Sequence, residues 1–187
     1  MVALSPPLCD FGWPAPDFSL PGVDGQTHSL ASIKGKAGFL LMFICNHCPY
    51  VLAILPRLVD DCRRLQELGL GVAAIMSNDT VAYPEDSFLR MGALSRELNF
   101  SFPYLYDESQ EIARAYGAVC TPDFFGFNAE GKLQYRGRFD ASGMSSRPVR
   151  DNENSDLLLA MSEVARTGQG PKMQQASIGC SLKWRRV

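Results

Sequence analysis

Gly38-Phe39-Leu40-Leu41-Met42-Phe43-Ile44-Cys45-Asn46-His47-Cys48-Pro49 joins two kinds of chain at a pair of cysteines. Gly38 to Ile44 is a continuous apolar run, preceded by the turn-rich Lys34-Gly35-Lys36. Its length and flank fit a strand buried on both faces. Beyond the cysteines, Val51, Leu55, Leu58, Cys62 and Leu65 recur at four- and three-residue spacing up to Gly69. That is the apolar stripe of an amphipathic helix with a glycine stop. Pro49 is acceptable in the first turn, where no intrahelical N–H is lost.

A Cys-x-x-Cys spacing alone is weak evidence, but this pair lies where a buried strand gives way to a helix. A helix N-terminus carries unsatisfied N–H groups and about half a positive charge, which stabilises a thiolate. Cys45, at the strand end, is the expected nucleophile. Cys48, one turn into the helix, is expected to attack the mixed disulfide formed on Cys45. His47, one of two histidines in the chain, is expected to stabilise the Cys45 thiolate and so make the disulfide more oxidising.

Working outward, Asp17 to Leu20 reads as a short edge strand, Gly22-Val23-Asp24-Gly25 as a turn, and Ser29 to Ile33 as a helical turn. Gly71 to Met76 is a second buried strand, and Pro84 opens a helix running to about Leu98. Phe102 to Tyr106 is a strand, and Asp107 and Ser109 cap a helix ending at Gly117. Phe124 to Phe127 and Leu133 to Arg136 form a hairpin around Asn128-Ala129-Glu130-Gly131. Ala141 to Ser155 reads as a loop and Asp156 to Arg166 as a last helix closed by Gly168. Strands alternating with helices, then a hairpin, imply an α/β fold with a mixed central sheet flanked by helices. The expected organisation is one domain over residues 1–168 and a tail over 169–187.

Composition narrows the function. The chain has 187 residues and six cysteines, far too few cysteines per residue for a disulfide scaffold. A net charge of −2 and an isoelectric point near 5.7 give no general basic footprint for nucleic acid. The basic tail residues Lys172, Lys183, Arg185 and Arg186 read as a solvated terminus. No N-terminal secretory pattern is present, and Ala37 to Cys45 falls short of the ~20 residues a membrane span requires. The expectation is a cytoplasmic protein without nucleic-acid or membrane partners. In a reducing compartment a cysteine pair points to catalysis or metal binding rather than to a structural bridge.

A second feature is Val119-Cys120-Thr121-Pro122-Asp123-Phe124-Phe125, with a proline directly before an apolar strand. Taken with Cys45-Asn46-His47-Cys48, it resembles the thioredoxin-like fold. The branch it is most similar to is the alkyl hydroperoxide reductase/thiol-specific antioxidant group, which includes peroxiredoxin-like proteins. Ala15 to Leu20, Phe102 to Asp107, Ala115 to Gly117 and Asn128 to Leu133 support the resemblance, which covers residues 14–140. It implies a cis Thr121–Pro122 bond beside the cysteine pair, with Thr121 and Pro122 positioning an extended substrate segment. Against the peroxiredoxin signature, Leu41 stands where proline belongs and Cys45 where threonine belongs. Against thioredoxins, Ile44 replaces the tryptophan before the pair and Ala53 the proline five residues after it. No acid on Gly38 to Ile44 is available to accept a proton from Cys48.

The resemblance therefore implies a thiol–disulfide oxidoreductase needing no cofactor and no metal. Its partners would be a disulfide-bearing protein or small-molecule thiol substrate and a thiol reductant. Cys120 and Cys180 are accessory thiols, Cys180 a candidate resolving residue; Cys62 is core and Cys9 incidental. The alternatives are a thiol peroxidase resolved by Cys180, or a metal carrier using Cys45, Cys48 and Cys120 with His47 or Cys180.

Overall fold

A computed structural model of the chain describes residues 3–145 and 154–185. Its strands are β1 (Ala3–Leu4), β2 (Ser19–Pro21), β3 (Thr27–Ser29), β4 (Gly38–Phe43), β5 (Leu70–Met76), β6 (Tyr104–Tyr106), β7 (Cys120–Thr121), β8 (Asp123–Asn128), β9 (Leu133–Tyr135) and β10 (Gly179–Ser181). The α-helices are α1 (Leu30–Ile33), α2 (Pro49–Glu67), α3 (Phe88–Glu97), α4 (Glu111–Tyr116) and α5 (Asp156–Thr167).

In the central sheet β4 pairs antiparallel with β8 and β8 with β9, while β5 pairs parallel with β6. The Ile44 N–H donates to the Ile75 carbonyl at 3.1 Å and sets the end of β4 beside β5. This is the mixed sheet expected from the element order. Every residue of β4 is buried, and strand alternation divides them between two cores. Leu40, Met42 and Ile44 pack with the buried faces of α2 and α5; Phe39, Leu41 and Phe43 pack with α1 and α4. Burial on both faces explains why β4 carries no polar residue. No helix among the described residues is long and apolar enough to cross a membrane.

Three elements differ from expectation. The helix expected from Pro84 is split into a 3-10 turn, Pro84–Asp86, and α3, because Ser87 is extended at φ −56°, ψ 151°. The break turns Asp86 inward, where it is fully buried. The caps expected of Asp107 and Ser109 form, but with Gln110 in the N-cap position between them and the helix: the Asp107 carboxylate accepts the Ala113 N–H at 2.9 Å and the Ser109 hydroxyl the Glu111 N–H at 3.2 Å. The segment after Gly168 is no separate tail, since β10 is hydrogen-bonded between β1 and β7. Its apolar members Cys180 and Leu182 are 2% and 4% exposed, so burial holds it to the body. Residues 146–153 of the expected loop and Arg186 of the basic end lie outside the described residues.

The turn carrying Pro122 is fixed by a buried ion pair. Arg136 donates to the Asp123 carboxylate at 3.1 Å and to the Gly117 carbonyl at 2.7 Å, and its guanidinium lies 4.4 Å from the Phe125 ring centre. Asp123 also accepts the Val119 N–H at 3.3 Å. Burial nevertheless pushes the Asp123 carboxyl up to about 6, against the pull of Arg136. Arg136→Met leaves that carboxylate without its cation. It should cost about 3–5 kcal/mol in denaturant unfolding at neutral pH. The loss should shrink below pH 6, where Asp123 can be protonated; a loss independent of pH would contradict the assignment.

Candidate active site

The helix that carries the cysteine pair begins at Pro49, with Cys48 as its N-cap. Cys45, the nucleophile expected from the sequence, lies before the capping position. The two thiols differ in acidity. Cys48 is pulled down to about 5, first by the Cys45 thiol that donates to it, then by Cys180, Thr121 and the Val51 N–H, against the cost of burial. Cys45 is pushed well above the ordinary thiol range, because its proton is held by Cys48, because it is buried, and because Asp86 is close. The two thiols are coupled, and the hydrogen bond between them favours the anion on Cys48 over Cys45.

The loop between the cysteines is held from beneath. Asn46 donates its backbone N–H to Asp86 at 2.8 Å and its side-chain amide to the Glu85 carbonyl at 3.0 Å, and it accepts the Tyr104 hydroxyl at 3.0 Å. Asp86 further accepts the Asn78 amide at 2.7 Å. His47 Nδ1 lies 2.9 Å from Asp86 without the alignment of a hydrogen bond. The His47 ring stacks on Tyr83 with a 3° interplanar angle. His47 therefore faces Asp86 and the site mouth. Asp86 is the buried acid that β4 lacks, supplied instead by the 3-10 turn. Read as a first-turn helix acid, it gives no sequence signal of a site role.

The Thr121–Pro122 bond is cis. Thr121 meets both cysteines: its hydroxyl lies 3.4 Å from Cys45 Sγ, and its carbonyl 3.1 Å from Cys48 Sγ. Its outer backbone edge, expected to receive a substrate segment, is occupied by the chain's own β10, with Cys180 opposite Thr121. Cys180 Sγ stands 2.8 Å from Cys48 Sγ. Cys45 and Cys48 are 1% and 0% exposed beneath this cover.

The remaining cysteines separate clearly. Cys120 is buried with its thiol toward the Pro122 carbonyl at 3.6 Å, and burial pushes its acidity far from the reactive range. Cys62 packs in the α2 stripe, its thiol 3.8 Å from Met42 Sδ. Cys9 is half-buried and pushed up to about 11 by burial. Donor atoms of Cys45, His47 and Asp86 lie within 4.8 Å of one another, a spacing compatible with a metal ion. That group differs from the sequence-expected metal set by replacing Cys48, Cys120 and Cys180 with Asp86. A cleft of about 140 Å³ borders Pro122, Tyr50, Phe139 and Ser177. A cleft of about 740 Å³ lies between the end of α2 and α5, away from the cysteine pair.

The sheet, the helices and the strand–cysteine pair–helix order form the thioredoxin-like fold, which solved structures at 15–17% identity share. The family model for "AhpC/TSA family" matches residues 11–136. The chain belongs to the AhpC/TSA family. The chain is similar over 100% of its length to an uncharacterized conserved protein from Geobacillus kaustophilus, at 40% identity and TM-score 0.90, covering 98% of that chain. A hypothetical protein from Sinorhizobium meliloti 1021 is 38% identical with TM-score 0.88, and the match covers 98% of each chain. The thiol-disulfide oxidoreductase ResA of Geobacillus thermodenitrificans is 26% identical over 129 residues, 66% of this chain and 66% of that protein. The chain thus spans just under two thirds of that relative's length.

The charge on Asp86 opposes ionisation of Cys45. Asp86→Asn should therefore make Cys45 more acidic, so that its alkylation, followed by peptide mass spectrometry, begins at lower pH. The amide also presents a donor where Asn46 or Asn78 needs an acceptor, at about 1–3 kcal/mol of stability. An unchanged alkylation profile for Cys45 would contradict the assignment.

Proposed function

We propose that this protein is a thiol–disulfide oxidoreductase in which Cys48 is the exchanging sulfur. The observation that carries the reading is the position of Cys48 at the α2 N-cap, its Sγ 2.8 Å from Cys180 Sγ; its pKa is drawn down to about 5 while that of Cys45 is pushed up. A thiolate is the attacking form in thiol–disulfide exchange, and its fraction at neutral pH sets which sulfur reacts. The ResA name of the relative described above supports the same reaction class.

In the first step the Cys48 thiolate attacks one sulfur of a substrate disulfide. A mixed disulfide forms on Cys48, and the other substrate sulfur leaves as a thiolate and takes up a proton. Cys45 then attacks Cys48, giving a Cys45–Cys48 disulfide and the second reduced substrate thiol. This exchanges the roles that strand position alone suggests for the two cysteines. Asp86 and His47, beside Cys45, are positioned to take its proton as it becomes the attacking thiol. The Thr121 hydroxyl, 3.4 Å from Cys45 Sγ, orients that thiol. The substrate is a disulfide-bearing protein or a small-molecule disulfide, and a dithiol reductant returns the pair to its reduced form. A cytoplasmic setting suits this cycle, because thiol pools there keep the pair reduced.

A second reading, thiol peroxidase, draws on the same acidic Cys48, because peroxide also reacts with thiolates. Peroxide consumption by the reduced protein, with sulfenic acid mapped to Cys48, would favour it over disulfide exchange.

Trapping separates the two cysteines. Cys45→Ser/Cys180→Ser should hold a mixed disulfide on Cys48 when mixed with a protein disulfide such as insulin's. Cys48→Ser should lower dithiothreitol-driven insulin reduction to the uncatalysed background. An adduct captured on Cys45 in the Cys48→Ser protein would overturn the assignment.

A further inference from the structure

β10 lies where the fold leaves the Thr121 edge open to an extended segment, and it brings a thiol with it. Cys180 is in register with Thr121, and its Sγ is 2.8 Å from Cys48 Sγ. The placement is built at several points. Gly179 passes so close to β7 that a Cβ there would stand 2.1 Å from the Thr121 carbonyl oxygen. Ser177 donates to the Pro122 carbonyl at 2.8 Å, and the Leu182 N–H to the Val119 carbonyl at 3.1 Å. Beyond the strand, the Lys183 N–H donates to Asn78 at 2.9 Å, and Asn78 itself holds Asp86. The same buried network thus seats both the cysteine-pair loop and the segment carrying Cys180.

We propose that Cys180 is a third redox thiol of this site, forming a disulfide with Cys48 in place of Cys45. This rests on the reading of Cys48 as the exchanging sulfur. In the oxidised chain, Cys180 attacks Cys48 Sγ. The Cys48–Cys180 bond forms and the Cys45–Cys48 bond breaks. The electron pair of the broken bond stays on Cys45 Sγ, which receives the proton given up by Cys180. The chain's oxidation state does not change; the original two-electron oxidation comes from the substrate disulfide, which leaves as two thiols. In the reduced chain Cys180 is held protonated, pushed up to about 12 by burial and by its hydrogen bond to Cys48 and that residue's charge. Both contributions from Cys48 end when Cys48 enters a disulfide, while Lys183 still favours the anion. Oxidation at Cys48 therefore prepares Cys180 to attack. The bridge ties the disulfide to the chain's own β10 and returns Cys45 to the thiol form.

The test uses the full chain with Cys45→Ser, oxidised by diamide, alkylated and mapped after trypsin. The expected result is loss of two thiols per chain without dimer formation, and a peptide bearing Cys180 linked to one bearing Cys48. The wild-type chain, mapped in the same way, should contain that linked peptide as well. Retention of all thiols in Cys45→Ser under conditions that oxidise the wild type, or a link from Cys48 to Cys120 instead, would overturn the proposal. Cys180→Ser reports separately on the underlying exchange. It should still form the Cys45–Cys48 disulfide, and its failure to do so would count against that cycle rather than against the Cys180 bridge.

Discussion

The hydrogen-bonded contact between Cys48 and its neighbours at the amino end of α2 is the constraint around which the site is arranged. A sulfur at that position can hold negative charge inside a core because the first-turn N–H field and donated protons replace water. Cys45 and Cys180 both contact Cys48, whose Sγ lies 2.8 Å from Cys180 Sγ and 3.1 Å from the Thr121 carbonyl. That charge adds to burial and Asp86 in holding Cys45 protonated, and to burial in holding Cys180 protonated.

The surrounding structure can be traced to keeping these groups in place. β4 and α2 fix the direction of the pair, and the buried Asp123–Arg136 ion pair fixes the turn that presents Thr121 and Pro122. Asp86 anchors the loop between the cysteines through Asn46. Asn78 links Asp86 to the segment after β10, so the floor and the cover of the site share one hydrogen-bond network. Low exposure of Cys45 and Cys48 follows from that cover. A protein disulfide of any size reaches Cys48 only if β10 shifts away from β7.

Much of the framework was legible in the sequence, for physical reasons. An unbroken apolar run and a four–three apolar stripe are signals of burial, and burial governs β4 and α2. The cis bond at Pro122 was expected through the family resemblance and lies beside the pair as that resemblance implied. Two features escaped. Asp86 sits where an acid at the start of a helix is ordinary, and its inward turn depends on the extended Ser87, which local sequence does not announce. β10 has three residues, Gly-Cys-Ser, with no alternating pattern; its pairing is dictated by an open edge more than fifty residues away in the chain. The acidity order of the two cysteines follows from the hydrogen bond between them and from Asp86 beside Cys45, side-chain contacts that spacing alone does not reveal.

The claim that Cys48 carries the thiolate is tested most directly by titrating thiolate absorbance in the ultraviolet for the reduced wild type, Cys45→Ser and Cys48→Ser. The account predicts an ionisation near pH 5 in the wild type, absent from Cys48→Ser. In Cys45→Ser a serine hydroxyl can still donate to Cys48, so an acidic ionisation should persist. An acidic ionisation that survives in Cys48→Ser and disappears in Cys45→Ser would place the anion on Cys45 and contradict the account.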